Sequence, residues 1–107
     1  MTTFDDRENA YESKFAHDAE LRFKCEARRN KLLGLWAAEK MGVSGDAAAD
    51  YAKEVVKADF EEAGDEDVFR KVKGDFLQKG VIAKDDEIRA KMAELMAEAV
   101  RQVEAGE

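Results

Sequence analysis

His17 is the only histidine of this 107-residue chain and Cys25 the only cysteine, and these are the first two residues to weigh for acid, base or nucleophile chemistry near neutral pH. A nucleophile needs a base within hydrogen-bond reach and a third group that orients the base. Eight residues separate the two side chains, which is more than two helical turns, or about 12 Å along a helix axis. That spacing makes no dyad on one helix. A lone thiol has no disulfide partner and no second sulfur for a metal site, so Cys25 reads as a buried, inert side chain in a reducing compartment. His17 reads as a solvated helix-surface residue, with pH sensing as its functional alternative.

Two charged clusters invite other chemistry. Asp59, Glu61, Glu62, Asp65, Glu66 and Asp67 surround Gly64 in the manner of a calcium loop. With Gly64 at the sixth loop position, however, the fifth is Ala63, the eighth is Glu66 and the twelfth is Arg70, where calcium requires a bidentate Glu. These carboxylates are better read as the cap and first turn of a helix. The second cluster is basic: Arg22, Lys24, Arg28, Arg29 and Lys31, with only Glu26 among them, beside Leu32, Leu33 and Trp36. Cations next to an indole can hold an adenine nucleotide by charge and stacking, and Arg28, Arg29 and Trp36 are the candidates. The plainer reading is a solvated helix face with Trp36 filling the core. The cluster also suits an acidic protein surface. No glycine-rich phosphate loop with its lysine is present, so ATP hydrolysis has no machinery here.

The elements that carry these groups are helices. The chain has no proline, and Gly42, Gly64, Gly80 and Gly106 each follow a stretch rich in Ala, Leu, Lys, Arg and Glu, as helix-terminating glycines do. Asp65 and Asp85 are placed to cap new helices, each followed by two acidic residues that suit a helix N-terminus. Apolar residues recur at three and four: Ala48, Ala52, Val55, Val56, Phe60 and Ala63; then Phe69, Val72 and Phe76; then Ile88, Met92, Leu95, Ala99 and Val103. Strand alternation is absent, and Val81 with Ile82 reads as an apolar loop tucked under the helices. The class is all-α, a small four-helix bundle with short antiparallel connections.

The first stretch, from about Thr3 to Met41, changes face midway. Phe4, Tyr11 and Phe15 form a stripe that would continue at Arg22, where it breaks. A new set, Leu21, Cys25, Leu32 and Leu35 with Trp36, starts one residue earlier, rotated by about 100°. Residues 1–20 therefore read as a flexible or separately oriented helical arm and residues 21–107 as the bundle. A weakly amphipathic helix of that length is marginal alone and is expected to order on a partner.

Composition excludes further classes. The chain carries 25 acidic and 18 basic residues, a net charge of −7, with eight of each sign in residues 1–41 and the whole excess beyond. Such a field repels phosphate backbones, which argues against nucleic acid. No apolar run approaches the ~18 residues of a membrane span, and the start lacks a basic flank with an apolar core, so neither insertion nor export is expected.

Three blocks, MTTFDDRENAYESKFAHDAELRFK at the start, ARRNKLLGLWAAEKMG from Ala27 to Gly42, and DFEEAGDEDVFRKV from Asp59 to Val72, share order and spacing with a known family. In them the chain resembles the zeta-type inhibitor subunit of the alphaproteobacterial F-type ATP synthase, over essentially its whole length. The resemblance implies a non-enzymatic regulator in the cytoplasm, peripheral to the membrane-bound synthase. Its N-terminal segment would enter a catalytic interface between the alpha and beta subunits, with gamma as a further contact, and block rotation in the hydrolysing direction. Carried over, the inhibitory arm is Thr2 to about Ala19, with Phe4, Tyr11 and Phe15 as anchors and Asp5, Asp6, Arg7 and Lys14 as charged contacts. No metal or obligatory cofactor is implied; adenine nucleotide would be sought at the basic run beside Trp36. The competing reading is an adenine-nucleotide-sensing or adaptor helical bundle.

Overall fold

The computed structural model describes residues 19–59 and 65–106. Within them the backbone forms four α-helices and no strand: α1 (Ala19–Lys40), α2 (Gly45–Ala58), α3 (Glu66–Lys79) and α4 (Asp85–Glu104). The expected class is the observed one. Helix α1 packs chiefly on α2 and α4, and α3 closes the bundle against those two.

Two of the three connections are set by the same device. After α1, the Gly42 N–H donates to Glu39 O (3.1 Å) and the Val43 N–H to Ala38 O (2.8 Å). After α3, Gly80 N–H donates to Leu77 O (3.3 Å) and Val81 N–H to Phe76 O (2.8 Å). This paired closure needs a left-handed residue at its centre, and Gly42 (φ +76°) and Gly80 (φ +73°) supply it. The residue after each glycine, Val43 or Val81, is then turned inward against the core. The next residue points out, so Ile82 is 98% exposed and not tucked under the bundle as its hydrophobicity suggested.

Helix starts differ from expectation. Asp65 occupies the cap position of α3 but makes no side-chain cap bond; the Asp67 carboxylate accepts the Val68 N–H instead (2.9 Å). Lys84, not Asp85, stands at the cap of α4, leaving Asp85 in the first turn, where its charge meets the helix dipole and Lys73 Nζ at 3.1 Å. Helix α2 ends at Ala58, and Phe60 to Gly64 lie outside the described residues.

The core contains Leu33, Ala37, Ala38, Tyr51, Val55, Val68, Phe69, Val72, Phe76, Ile88 and Met92, with Trp36 and Leu95 packed on its edge. Removing each large aliphatic side chain from water contributes about 1.5–3 kcal/mol. On α1 the buried line is Cys25, Arg29, Leu33, Ala37, flanked by Asn30, Gly34 and Ala38. Leu35, counted on the apolar stripe from its spacing, is instead exposed. The face is shifted because α1 and α2 approach so closely that small residues are required between them. A Cβ on Gly34 would stand 2.5 Å from the Ala52 Cα.

Candidate functional site

The two ends of α1 differ in enclosure, and the open one carries the charge. Lys24, Arg28 and Lys31 recur at four and three, which aligns them along one strip of the helix. They border a groove of about 580 Å³ whose apolar lining comes from Leu21, Phe23 and Ala27 of α1, Val56 of α2 and Val103 of α4. Phe23 is 51% exposed, an unusual position for a large ring.

The charges around the groove are held in order by α4. Arg28 Nη1 donates to Gln102 Oε1 at 2.7 Å, and Gln102 Nε2 in turn donates to Glu98 Oε2 at 2.9 Å. Hydrogen bonds from Arg101 and Gln102 pull the Glu98 carboxyl down to about 2. That carboxylate fixes which way the Gln102 amide faces, and so presents its carbonyl to Arg28. Among the described residues Lys24 pairs with Glu20 at 3.8 Å, an exposed pair of little energetic weight.

Arg29 plays a different part from its neighbours in the basic run. It is buried, with Nε donating to Asn30 Oδ1 at 2.7 Å and Nη1 standing 3.8 Å from Asp65 Oδ2. Asn30 is fully buried, and among the described residues its Nδ2 has no hydrogen bond of good geometry, its closest electrostatic partner being the Asp59 carboxylate. Burial pushes the nearby Asp59 carboxyl up, offset in part by the Asn30 amide and the Arg29 charge. A smaller cavity of about 250 Å³ lies here, lined by Arg29, Asp65, Arg89, Met92, Ala93 and Met96. The Arg89 guanidinium lies 3.9 Å over the Phe69 ring and donates to Glu66 Oε1 at 2.8 Å.

Trp36 sits against Phe76, edge to face with centroids 5.7 Å apart, and the cations near its ring are Lys40 and Lys91, each at 5.8 Å. Of the nucleotide candidates, Arg28 thus borders the groove, Arg29 is locked beside Asn30 and Asp65, and Trp36 faces α3. Phe4, Asp5, Asp6, Arg7, Tyr11, Lys14, Phe15 and His17 lie outside the described residues. Cys25 is fully buried, and burial first, then Glu104 and Glu26, push its thiol up, away from the reactive thiolate.

One polar constellation escaped the sequence reading. Tyr51 O–H donates to Asp75 Oδ2 at 2.8 Å and Lys71 Nζ donates to the same oxygen at 2.9 Å, tying α2 to α3. Burial, then the hydrogen bond to Asp75 and its charge, push the Tyr51 phenol up. Burial opposes charge on Lys71, yet the Asp75 bond and the charges of Asp75 and Glu54 outweigh it and raise the ammonium. None of the three lines either cavity described above, and the group acts as a clamp. Among the described residues no cluster of His, Cys, Asp and Glu has metal-binding geometry, and no helix is long and apolar enough to cross a membrane.

Comparison with known proteins bears on the whole chain. The family model for ATPase inhibitor subunit zeta matches residues 1–102. Four chains among solved structures match. One, determined in solution by NMR, is 57% identical over 81% of this chain and 99% of its own, with a TM-score of 0.73. Among curated proteins none matches.

Proposed function

The chain belongs to the ATPase inhibitor subunit zeta family, and we propose that it restrains ATP hydrolysis by an F-type ATP synthase through its N-terminal arm, Thr2 to about Ala19. The observation that carries this reading is the family match itself, which starts at residue 1 and so takes in the segment that precedes α1. The described part of the chain has a core of its own, whose buried side chains run from Cys25 of α1 to Ala99 of α4.

In this reading the division of labour is physical. The bundle supplies a stable anchor, and residues 1–18 supply an amphipathic element that enters an alpha/beta catalytic interface and blocks rotation in the hydrolysing direction, with gamma within reach. Ordering such a segment on a partner costs several kcal/mol, which buried aromatic anchors must offset. Phe4, Tyr11 and Phe15 are those anchors, and Asp5, Asp6, Arg7 and Lys14 set register by charge. The protein performs no chemistry of its own and works in the cytoplasm at the surface of the membrane-bound enzyme.

Titrating the isolated catalytic head with the full chain and with a chain lacking residues 2–19 tests the proposal. The full chain is expected to abolish ATP hydrolysis and the shortened chain to leave it intact. Equal inhibition by both would move the inhibitory element into the bundle, and no inhibition by either would remove the assignment.

A further inference from the structure

Two glycines stand in helix interiors, and packing within the bundle explains one of them. Gly34 is required because a Cβ there would stand 2.5 Å from the Ala52 Cα, whereas a Cβ on Gly74, in the middle of α3, would meet nothing within 4 Å among the described residues. Glycine is the least favourable helix residue after proline. Gly74 therefore weakens α3 without allowing any closer packing inside the bundle.

Its surroundings are as unusual. Arg70, Gly74 and Leu77 recur at four and three and share one strip of α3, on the side away from the buried Val68, Phe69, Val72 and Phe76. Leu77 is 71% exposed, and Ile82, just past the Gly80 stop, is 98% exposed. Residues 70–84 carry five cations, Arg70, Lys71, Lys73, Lys79 and Lys84, against Asp75 alone, in a chain whose net charge is −7. Lys71 is tied to Asp75 at 2.9 Å and Lys73 to Asp85 at 3.1 Å, while Lys79 and Lys84 make no ion pair among the described residues.

We propose that this face of α3 is where the bundle docks on the catalytic head, against an acidic amphipathic helix of that enzyme. Gly74 admits the partner's backbone, because the distance between packed helix axes is set by the side chains at their contact. Leu77 and Ile82 supply apolar contact beside it, and Lys79 and Lys84 favour an acidic rim and speed encounter. A second copy of this chain fits less well, since an isologous pairing sets the same cations against each other. The proposal rests on the reading of the chain as an inhibitor of that enzyme and adds the surface by which its bundle is held.

Binding of the full chain to the isolated catalytic head, titrated beside ATP hydrolysis, tests this with Gly74→Gln. Glutamine is a good helix former and its Cβ has open space at position 74, so the melting temperature of the variant should rise while its affinity for the head falls at least about tenfold. Opposite signs in the two readouts are what a docking face produces and a structural glycine does not. Lys79→Glu together with Lys84→Glu should weaken binding by a similar factor and flatten its dependence on salt. Parent-like affinity of Gly74→Gln, while the parent inhibits, would overturn the docking face and leave the inhibitor reading standing. A lower melting temperature would also overturn it, because the bundle itself would then use the gap. So would sedimentation showing that the substitutions break up a self-associated form of the chain without changing its affinity for the head, since the occupant would then be a second copy. A parent chain that neither binds nor inhibits would remove the inhibitor reading and this surface with it.

Discussion

The two halves of α1 are built from similar residues and are used in opposite ways. From Arg29 to Lys40 the helix is sunk into the bundle: Leu33 is fully buried, Gly34 lies against Ala52, and even a guanidinium and an amide are enclosed. From Ala19 to Arg28 the same helix keeps Cys25 inside but leaves Phe23 half in water and lines Lys24 and Arg28 along an open groove. The C-terminal half spends its apolar surface on the fold, and the N-terminal half leaves part of its apolar surface and its charge along the groove. One continuous helix thus joins an enclosed segment to an open, cationic one.

Substitution in each half measures that contrast. The largest effect is expected for Leu33→Ala, which empties a fully enclosed site and should cost about 2–5 kcal/mol in denaturant unfolding. Phe23→Ser, nearly three turns away, should cost only about 1 kcal/mol, because the ring is already half hydrated. Comparable losses at both positions would erase the distinction between the halves.

Gly34→Ala sharpens the comparison at the closest approach. The added methyl has backbone before it, not a flexible side chain, so α1 and α2 must separate; the expected loss is about 1–3 kcal/mol despite the better helix propensity of Ala. A gain in melting temperature would show that the two helices have room to spare.

The smallest effect concerns pH at the enclosed polar knot. Asp59 is raised by burial, so the folded chain binds its proton more readily than the unfolded chain does. Its contribution therefore grows more favourable as pH falls through the raised value and is unfavourable above it. Glu98 is the opposite case: its stabilisation is complete above the unfolded carboxylate value and is lost as pH falls toward about 2. Asp59→Asn should raise stability at neutral pH by about 0.5 kcal/mol and remove the gain on mild acidification in thermal melts. An unchanged pH profile would mean that the carboxylate is solvated in solution.

Helix existence and most of the core were legible in the sequence, since α2, α3 and α4 present ordinary apolar stripes and Gly42 and Gly80 mark true left-handed stops. The buried face of α1 was not. Its signal is carried by Gly34, Ala37 and Ala38, whose smallness matters only because α2 comes close, and by Arg29 and Asn30, which a count of hydrophobic residues assigns to water. The basic run looked uniform for the same reason, although Arg29 is structural while Lys24, Arg28 and Lys31 border the groove. Spacing at four and three could have separated them. Ile82 was misplaced because hydrophobicity alone does not tell which residue after a glycine stop turns inward. The Tyr51, Asp75 and Lys71 clamp joins two helices across 24 residues of chain, a pairing that no local pattern shows.

The central claim, that recognition and stability reside in separate parts of the chain, is tested most directly by the concentration of Phe15→Ala needed to half-inhibit ATP hydrolysis by the catalytic head. The account predicts a rise of at least about 30-fold, the equivalent of a lost 2 kcal/mol anchor, in a protein whose melting temperature matches the parent. An unchanged inhibitory concentration accompanied by a lower melting temperature would contradict it, because Phe15 would then belong to the bundle's core.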